Sequence, residues 1–250
     1  MGGHGYPVDL DRIPPRAWLA YPLVLTRRDP TASEPPSAYR LEWQGVYYQV
    51  WARRPGTPAA IAHLGLLGRR PIKCSRVRHL ARIADAHGAR IVAAIPPEVV
   101  SIEVARSRHP AWSYTHPGLA MKDAGRLQST FSVPHAGAWD IWLKGQLMPT
   151  ADIGVDGRSI GSIGGQLDGN PHNPDAMTPL RVTLSAGRHR LTIARGDSIW
   201  APGDGGWAIL HEIYATPANA PNVDRLRVTP PARWRTLCGG RFDWIEVVRS

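Results

Sequence analysis

Lysine is nearly missing from this chain: of its 30 basic residues only Lys73, Lys122 and Lys144 are lysines, and the rest are arginine. The arginines are scattered in pairs such as Arg27-Arg28, Arg53-Arg54 and Arg188-x-Arg190. No block of five or six like charges forms an arm for nucleic acid, so specific nucleic-acid binding is not expected. Long apolar runs are also lacking. The longest, Trp18 to Leu25 and Ile91 to Ile95, fall far short of the ~20 residues a membrane helix needs, so the chain is not expected to span a membrane. Met1 to Gly5 has neither the basic start nor the apolar stretch of a secretory signal. The two cysteines are too few and too far apart for a zinc site or a C-x-x-C redox pair. They are either free buried thiols or one Cys74–Cys238 disulfide, which would close a loop of 164 residues.

What is present points to a folded, turn-rich protein. Hydrophobic residues make up 43%, enough for a core, while 25 Gly and 24 Pro favour short strands over long helices. The formal charge is +10. Ten Trp and seven Tyr against two Phe mark a preference for rings with a polar tip, which suit half-wet surfaces such as sugar platforms and interfaces.

Tyr21 to Thr26 reads as a buried strand. Tyr39 to Arg53 reads as an aromatic-rich hairpin turning at Gln44-Gly45. Ser75 is placed to cap a helix with the apolar stripe Val77, Leu80, Ala81 and Ala84, stopped at Gly88, and Arg90 to Ile95 follows as a short strand. Ser107 to Gly125 has no periodicity and reads as a connector, which puts a boundary near residue 120. Beyond it, alternating runs broken by Gly, Asp-Gly and Ala-Gly turns predict a β-sandwich of jelly-roll type, with Asp156-Gly157 the strongest hairpin signal. The last residues, with Phe242, Trp244, Ile245 and Val247, predict a terminal strand. The expected class is therefore mainly β: a small α/β lobe (1–115), a jelly-roll-type β-sandwich (120–217) and a C-terminal strap (218–250) returning to the first lobe.

Motifs for catalysis are weak. Gly157-Arg158-Ser159-Ile160-Gly161 matches G-x-S-x-G, but it follows a hairpin turn, not the strand that device needs. His211-Glu212 lacks the second histidine of a zinc protease, since Ala215 stands there. The acids Asp152, Asp156, Asp168, Asp175 and Asp204 all fall in turns, where hydrogen bonds to nearby backbone explain them; Asp152 and Asp156 are the candidates for a calcium ion held by loop oxygens. Within "AWDIWLKG", alternation sends Trp139, Ile141 and Leu143 to the core and Trp142 to the other face. Trp200 and Trp207 bracket a Gly-rich loop holding Asp204. A ring beside an acid can grip a sugar by stacking and hydroxyl hydrogen bonds, so Trp142, Trp200, Asp204 and Trp207 are the candidate glycan contacts.

The segments "YPLVLTRRDPTASEPPSAYRLEWQGVYYQVWAR", "CSRVRHLA", "FSVPHAGAWDIWLKG", "LSAGRHRLTIARG" and "LCGGRFDWIEVV" together resemble the extracytoplasmic C-terminal region of actinobacterial multi-pass membrane glycosyltransferases of the GT-C type. The resemblance spans nearly the whole chain; pieces such as "SAGRHRLTI" also occur in sandwiches like carbohydrate-binding modules. In that family, catalysis belongs to a membrane part that this chain lacks. The resemblance therefore implies a non-catalytic, membrane-associated, extracytoplasmic domain with cell-envelope glycan, a multi-pass membrane protein, or both as partners. It implies an oxidising compartment as well, which supports the Cys74–Cys238 bridge. The alternatives are a purely structural module assembling a membrane enzyme, and a polysaccharide hydrolase, which needs two carboxyls roughly 5 to 9 Å apart.

Overall fold

Strand-length runs of alternating burial dominate the protein, as the density of Gly and Pro turns dictates. The structure is a computed structural model and describes residues 10–66, 70–104, 112–114, 118–147, 150–164, 175–176, 179–196, 208–218 and 225–249. In chain order its strands are β1 (Leu23–Arg27), β2 (Tyr39–Gln44), β3 (Tyr48–Arg53), β4 (Ala62–Gly65), β5 (Ala89–Ala94), β6 (Val100–Ile102), β7 (Trp112–Tyr114), β8 (Leu119–Met121) and β9 (Gly125–Val133). They continue as β10 (Gly137–Gln146), β11 (Ala151–Val155), β12 (Arg158–Ile163), β13 (Asp175–Ala176), β14 (Leu180–Leu184), β15 (Gly187–Arg195), β16 (Ala208–Pro217), β17 (Leu226–Thr229) and β18 (Trp244–Arg249). The α-helices are α1 (Pro15–Trp18) and α2 (Cys74–Ala86). The chain divides into two units: Met1–Pro97 with Pro221–Ser250, and Glu98–Ala220.

The first unit holds two antiparallel sheets, one ordered β1-β3-β2 and one ordered β17-β5-β18-β4. Helix α2 lays the stripe Val77, Leu80, Ala81 and Ala84 against Ile91 and Ala93 of β5 and Ile245 and Val247 of β18. That stripe recurs every three to four residues, as one buried helix face requires. Ser75 does not cap α2: the helix already begins at Cys74, with Lys73 before it and no side-chain cap. A disulfide joins Cys74 to Cys238. It ties the part of the unit that precedes the second unit to the part that follows it. The opposite face of this sheet carries Trp244, Val92 and Ala94.

In the second unit a seven-stranded sheet of β6, β7, β8, β10, β13, β14 and β16 faces a four-stranded sheet ordered β12-β11-β15-β9. Trp139, Ile141 and Leu143 of β10 meet Leu127 and Phe131 of β9, Ile153 of β11 and Leu191 of β15 in one core. From β9 to β16 the chain passes back and forth between the two sheets, which is the threading of a jelly-roll sandwich. At the β11–β12 turn both Asp156 (φ 51°) and Gly157 (φ 81°) are left-handed, as a primed two-residue hairpin turn demands.

Three further expectations are corrected here. The boundary lies at Pro97/Glu98 and not between 115 and 120, because β6 pairs with β16 and β7 with β8 inside the second unit. Strand β1 is not buried: Leu23 and Leu25 point outward, while Val24 and Thr26 face inward. The expected connector 107–125 contains β7 and β8. Strands of three residues are too short to show a period, although Leu119, Ala120 and Met121 are wholly buried.

The bridge is expected to matter to the first unit. In the chain-entropy view, a closed loop of 164 residues is worth about 5 kcal/mol. Calorimetry of the Cys74→Ser/Cys238→Ser variant against the oxidised protein should show the first unit melting well below its wild-type temperature; an unchanged thermogram would contradict this.

Candidate functional site

Along an antiparallel pair, directly opposed residues share a face, so the register of β1-β3-β2 sorts its side chains. Leu25 opposes Val50, Trp43 opposes Val50, and Arg27 opposes Tyr48. The inner face holds Val24, Tyr39, Leu41 and Trp51, packed with Trp18 of α1. There the Trp51 indole N–H donates to Thr26 Oγ1 at 3.1 Å, and the Tyr39 hydroxyl lies 2.5 and 2.6 Å from the carbonyls of Trp18 and Tyr21. A soluble sheet with one such face normally turns polar groups outward. This one is largely apolar: Leu23, Leu25, Trp43 and Tyr48 stand on the outer face at 58%, 64%, 56% and 43% exposure, and Arg40, opposite Ala52 and paired with Glu42 at 3.1 Å, adds charge to it.

Tyr21, Val46 and Tyr47 flank the same strands and are also exposed, so seven of the ten large apolar side chains exposed among the described residues fall between positions 21 and 48. A register shift between Leu41 and Trp43 turns Trp43 outward. Its indole then lies over Gly45, where a Cβ would sit 2.2 Å from the ring. Arg27 places its guanidinium 5.5 and 5.3 Å from the ring centres of Tyr47 and Tyr48, a cation–π arrangement at the edge of the face. Sequence reading missed this surface. The signal was there: in "LVLTR" both alternation registers hold aliphatic residues, and in "YQVWAR" Tyr48, Val50 and Ala52 share the face opposite to that of Trp51.

The first unit also contains a buried ionic cluster. His63 of β4 is nearly inaccessible and sits between Glu246 (Nδ1–Oε1 2.9 Å) and Asp11 (Nε2–Oδ1 3.4 Å). Both ring nitrogens face carboxylates, so both carry protons and the ring is an imidazolium. Burial pulls its pKa down, but the hydrogen bonds and charges of Asp11 and Glu246 outweigh burial and push it up to about 9. Ser33 donates to Asp11, the Ser37 N–H to Glu246, and the Glu34 N–H to Asp243. Burial raises the Asp243 carboxyl to about 7, against the opposing pull of the Glu34 N–H. The Trp244 indole donates to the Glu34 carbonyl at 3.1 Å. The Ser33 hydroxyl donates to Asp11, so the cluster fastens residues 33–37 to the sheet.

The glycan candidates meet different fates. Trp142 is 2% exposed, stacks on Tyr214 at 6.0 Å and donates to Thr216 Oγ1 at 2.9 Å, so it cannot be a sugar platform. Alternation put Trp142 on the second face of β10 without revealing that this face is buried too. Trp200, Asp204 and Trp207 lie outside the described residues. Of the acids expected in turns, Asp156 stands at the β11–β12 turn but Asp152 lies within β11, and both have structural partners. Asp156 accepts from His189 Nδ1 at 2.7 Å and from the Arg190 N–H at 2.8 Å, and His189 in turn donates to the Ser185 carbonyl. Those hydrogen bonds hold the Asp156 carboxyl below its usual range, with His189 the larger cause. Asp152 accepts from Ser162 at 2.6 Å. Among the described residues no three His, Cys, Asp or Glu side chains converge on a place for a metal ion. Buried Asp140 is held by both arms of Arg181, at 2.9 and 3.2 Å. Ser159 of the G-x-S-x-G match lies on β12, not at a strand-to-helix elbow. Asp168 lies outside the described residues and Asp175 falls on β13.

No protein-family model matches the chain, and no curated protein sequence does. Among solved structures it is similar to the CBM36-1 domain of a multidomain xylanase from the hindgut metagenome of Trinervitermes trinervoides, at 14% identity and TM-score 0.35, covering 50% of this chain and 98% of that one. It is similar also to a family 35 carbohydrate-binding module from Clostridium thermocellum (11% identity, TM-score 0.32, 48% and 92% covered). A third is the CBM35 of Paenibacillus barcinonensis (12%, TM-score 0.33, 48% and 92%). At these values the reading of the site rests on the residues themselves.

The buried cluster yields a pH dependence. A group whose folded pKa is raised stabilises the fold fully below its ordinary pKa and loses that contribution as pH climbs through the folded value. For Asp243 that window runs from about 4 to about 7, and for His63 from about 6.5 to about 9. The first unit should therefore melt at steadily lower temperature from acid to alkaline pH. Asp243→Asn should flatten the acidic arm. His63→Ala, which strands Asp11 and Glu246, should cost about 3 to 5 kcal/mol at neutral pH. Melting temperatures that rise toward pH 9 would refute the assignment.

Proposed function

We propose that this protein is a non-catalytic accessory domain of the cell envelope whose β-sandwich binds glycan. One observation supports binding over hydrolysis: three acids of the sandwich, Asp140, Asp152 and Asp156, are committed to structural partners. Asp140 is held by Arg181, Asp156 by His189 and the Arg190 N–H, and Asp152 by Ser162. A glycosidase needs one carboxyl free to give a proton and a second facing the same bond. The segment between β15 and β16 carries Trp200, Asp204 and Trp207 in its sequence. Loops at the ends of a sandwich, set on a rigid scaffold, are where such folds place their ligands.

The Cys74–Cys238 disulfide supports an extracytoplasmic setting, since such bridges persist in oxidising compartments. The sequence resemblance to the tails of GT-C membrane glycosyltransferases supports a place beside such an enzyme, whose catalysis would lie outside this chain. A second reading, a structural module that assembles a membrane enzyme without touching sugar, is favoured by the burial of Trp142. Among the described residues no helix is long and apolar enough to cross a membrane.

Titration of the oxidised protein with arabinan, galactan, mannan and peptidoglycan fragments, followed by calorimetry and tryptophan fluorescence, separates these readings. Saturable binding to one glycan is expected, weakened by about 2 kcal/mol in Trp200→Ala or Trp207→Ala if each ring is an anchor. No binding by any glycan would overturn the first reading in favour of the second.

A further inference from the structure

The outer face of β1-β3-β2 is the largest feature left unused by the reading above. Its occupant can be argued from chemistry and charge. Leu23, Leu25 and Val46 offer nothing to hydroxyl groups, which argues against a sugar as the main ligand. Trp43, Tyr47 and Tyr48 add rings with one polar tip, the side chains that settle at the boundary between hydrocarbon and water. Arg27 stands over two of those rings, with an apolar stem along the face and a charge at its edge.

The charge of the chain is partitioned along with its fold. The unit that bears this face, Met1–Pro97 with Pro221–Ser250, has 20 Lys and Arg against 9 Asp and Glu, a net +11. The other unit, Glu98–Ala220, has 10 against 11, a net −1. All of the positive excess thus belongs to the unit with the exposed apolar sheet. An apolar, Tyr- and Trp-bearing surface on a strongly basic body complements a surface that is hydrocarbon within and negative at its rim.

We propose that the outer face of β1-β3-β2 docks on an anionic lipid bilayer, with Leu23, Leu25, Val46 and Trp43 entering the interface and Arg27 and Tyr48 at headgroup level. This assignment is independent of glycan binding by the sandwich, and its variants touch none of the residues proposed there.

The test is flotation of the full oxidised chain with vesicles of equimolar phosphatidylglycerol and phosphatidylcholine, and with vesicles of phosphatidylcholine alone. The protein is expected to float with the anionic vesicles, less so with phosphatidylcholine, and to be released by added salt. Leu25→Ser and Trp43→Ala should each weaken anionic-vesicle binding about tenfold, the loss of roughly one buried apolar side chain. Because both residues are exposed, an unchanged melting temperature certifies that the variants remain folded. Absence of flotation, equal binding to both vesicles, or anionic binding undiminished in both variants would each overturn the proposal. A glycan or a protein that protects this face while vesicles do not bind would overturn it in favour of that partner.

Discussion

The carboxylate of Glu246 lies wholly out of water in the middle of a sheet, and the first unit is organised around its neutralisation. An uncompensated carboxylate there would cost several kcal/mol. His63 opposes it on the neighbouring strand and supplies the positive charge, while the Ser37 N–H supplies a further donor. The cost of the buried pair is thus converted into a requirement on the backbone: residues 33 to 37 must lie across Trp244 and Glu246, or the acids lose their donors. Those residues run directly into β2 at Tyr39. The same fastening that satisfies Glu246 therefore sets the start of the three-stranded sheet and hence the position of its outer face on the first unit.

The second constraint is topological. The first unit is made of two chain segments separated by the whole sandwich, so its four-stranded sheet is completed only when β17 and β18 return to β5. Contacts so distant in sequence bring little until a long loop has been closed. The disulfide from the start of α2 to Cys238 holds that loop shut once formed. The bridge and the discontinuous unit are thus parts of one design: the bridge joins the segments whose separation makes the unit hard to assemble.

Much of this could be read from the residues, and what could not has identifiable causes. The α2 stripe and the core positions Trp139, Ile141 and Leu143 follow from local periodicity, and Asp156-Gly157 from local turn chemistry; the structure agrees at each. The His63 cluster was not legible, because its partners lie 52 and 183 residues away in the chain. Alternation says that Trp142 and Trp139 face opposite ways but not what covers the second face, so Trp142 was taken for a platform when it is packed against Tyr214. The opposite error befell β1. Its apolar content suggested burial, yet the inner face of the sheet is already filled by Trp18, Tyr39 and Trp51, and Leu23 and Leu25 are left outside.

A sheet with two apolar faces and cover for only one is a liability, since such patches invite non-specific association. Here the liability is offset locally by charge: the unit that carries the face repels copies of itself through its net +11. The two features act over different distances. Charge is felt across a Debye length of about 8 Å at physiological salt, whereas apolar attraction needs contact. A basic body would thus be drawn to a negative surface first, and the leucines and rings of the outer face would engage only on arrival. Gly45 leaves the room that the Trp43 indole occupies beside the turn, since a Cβ there would stand 2.2 Å from the ring.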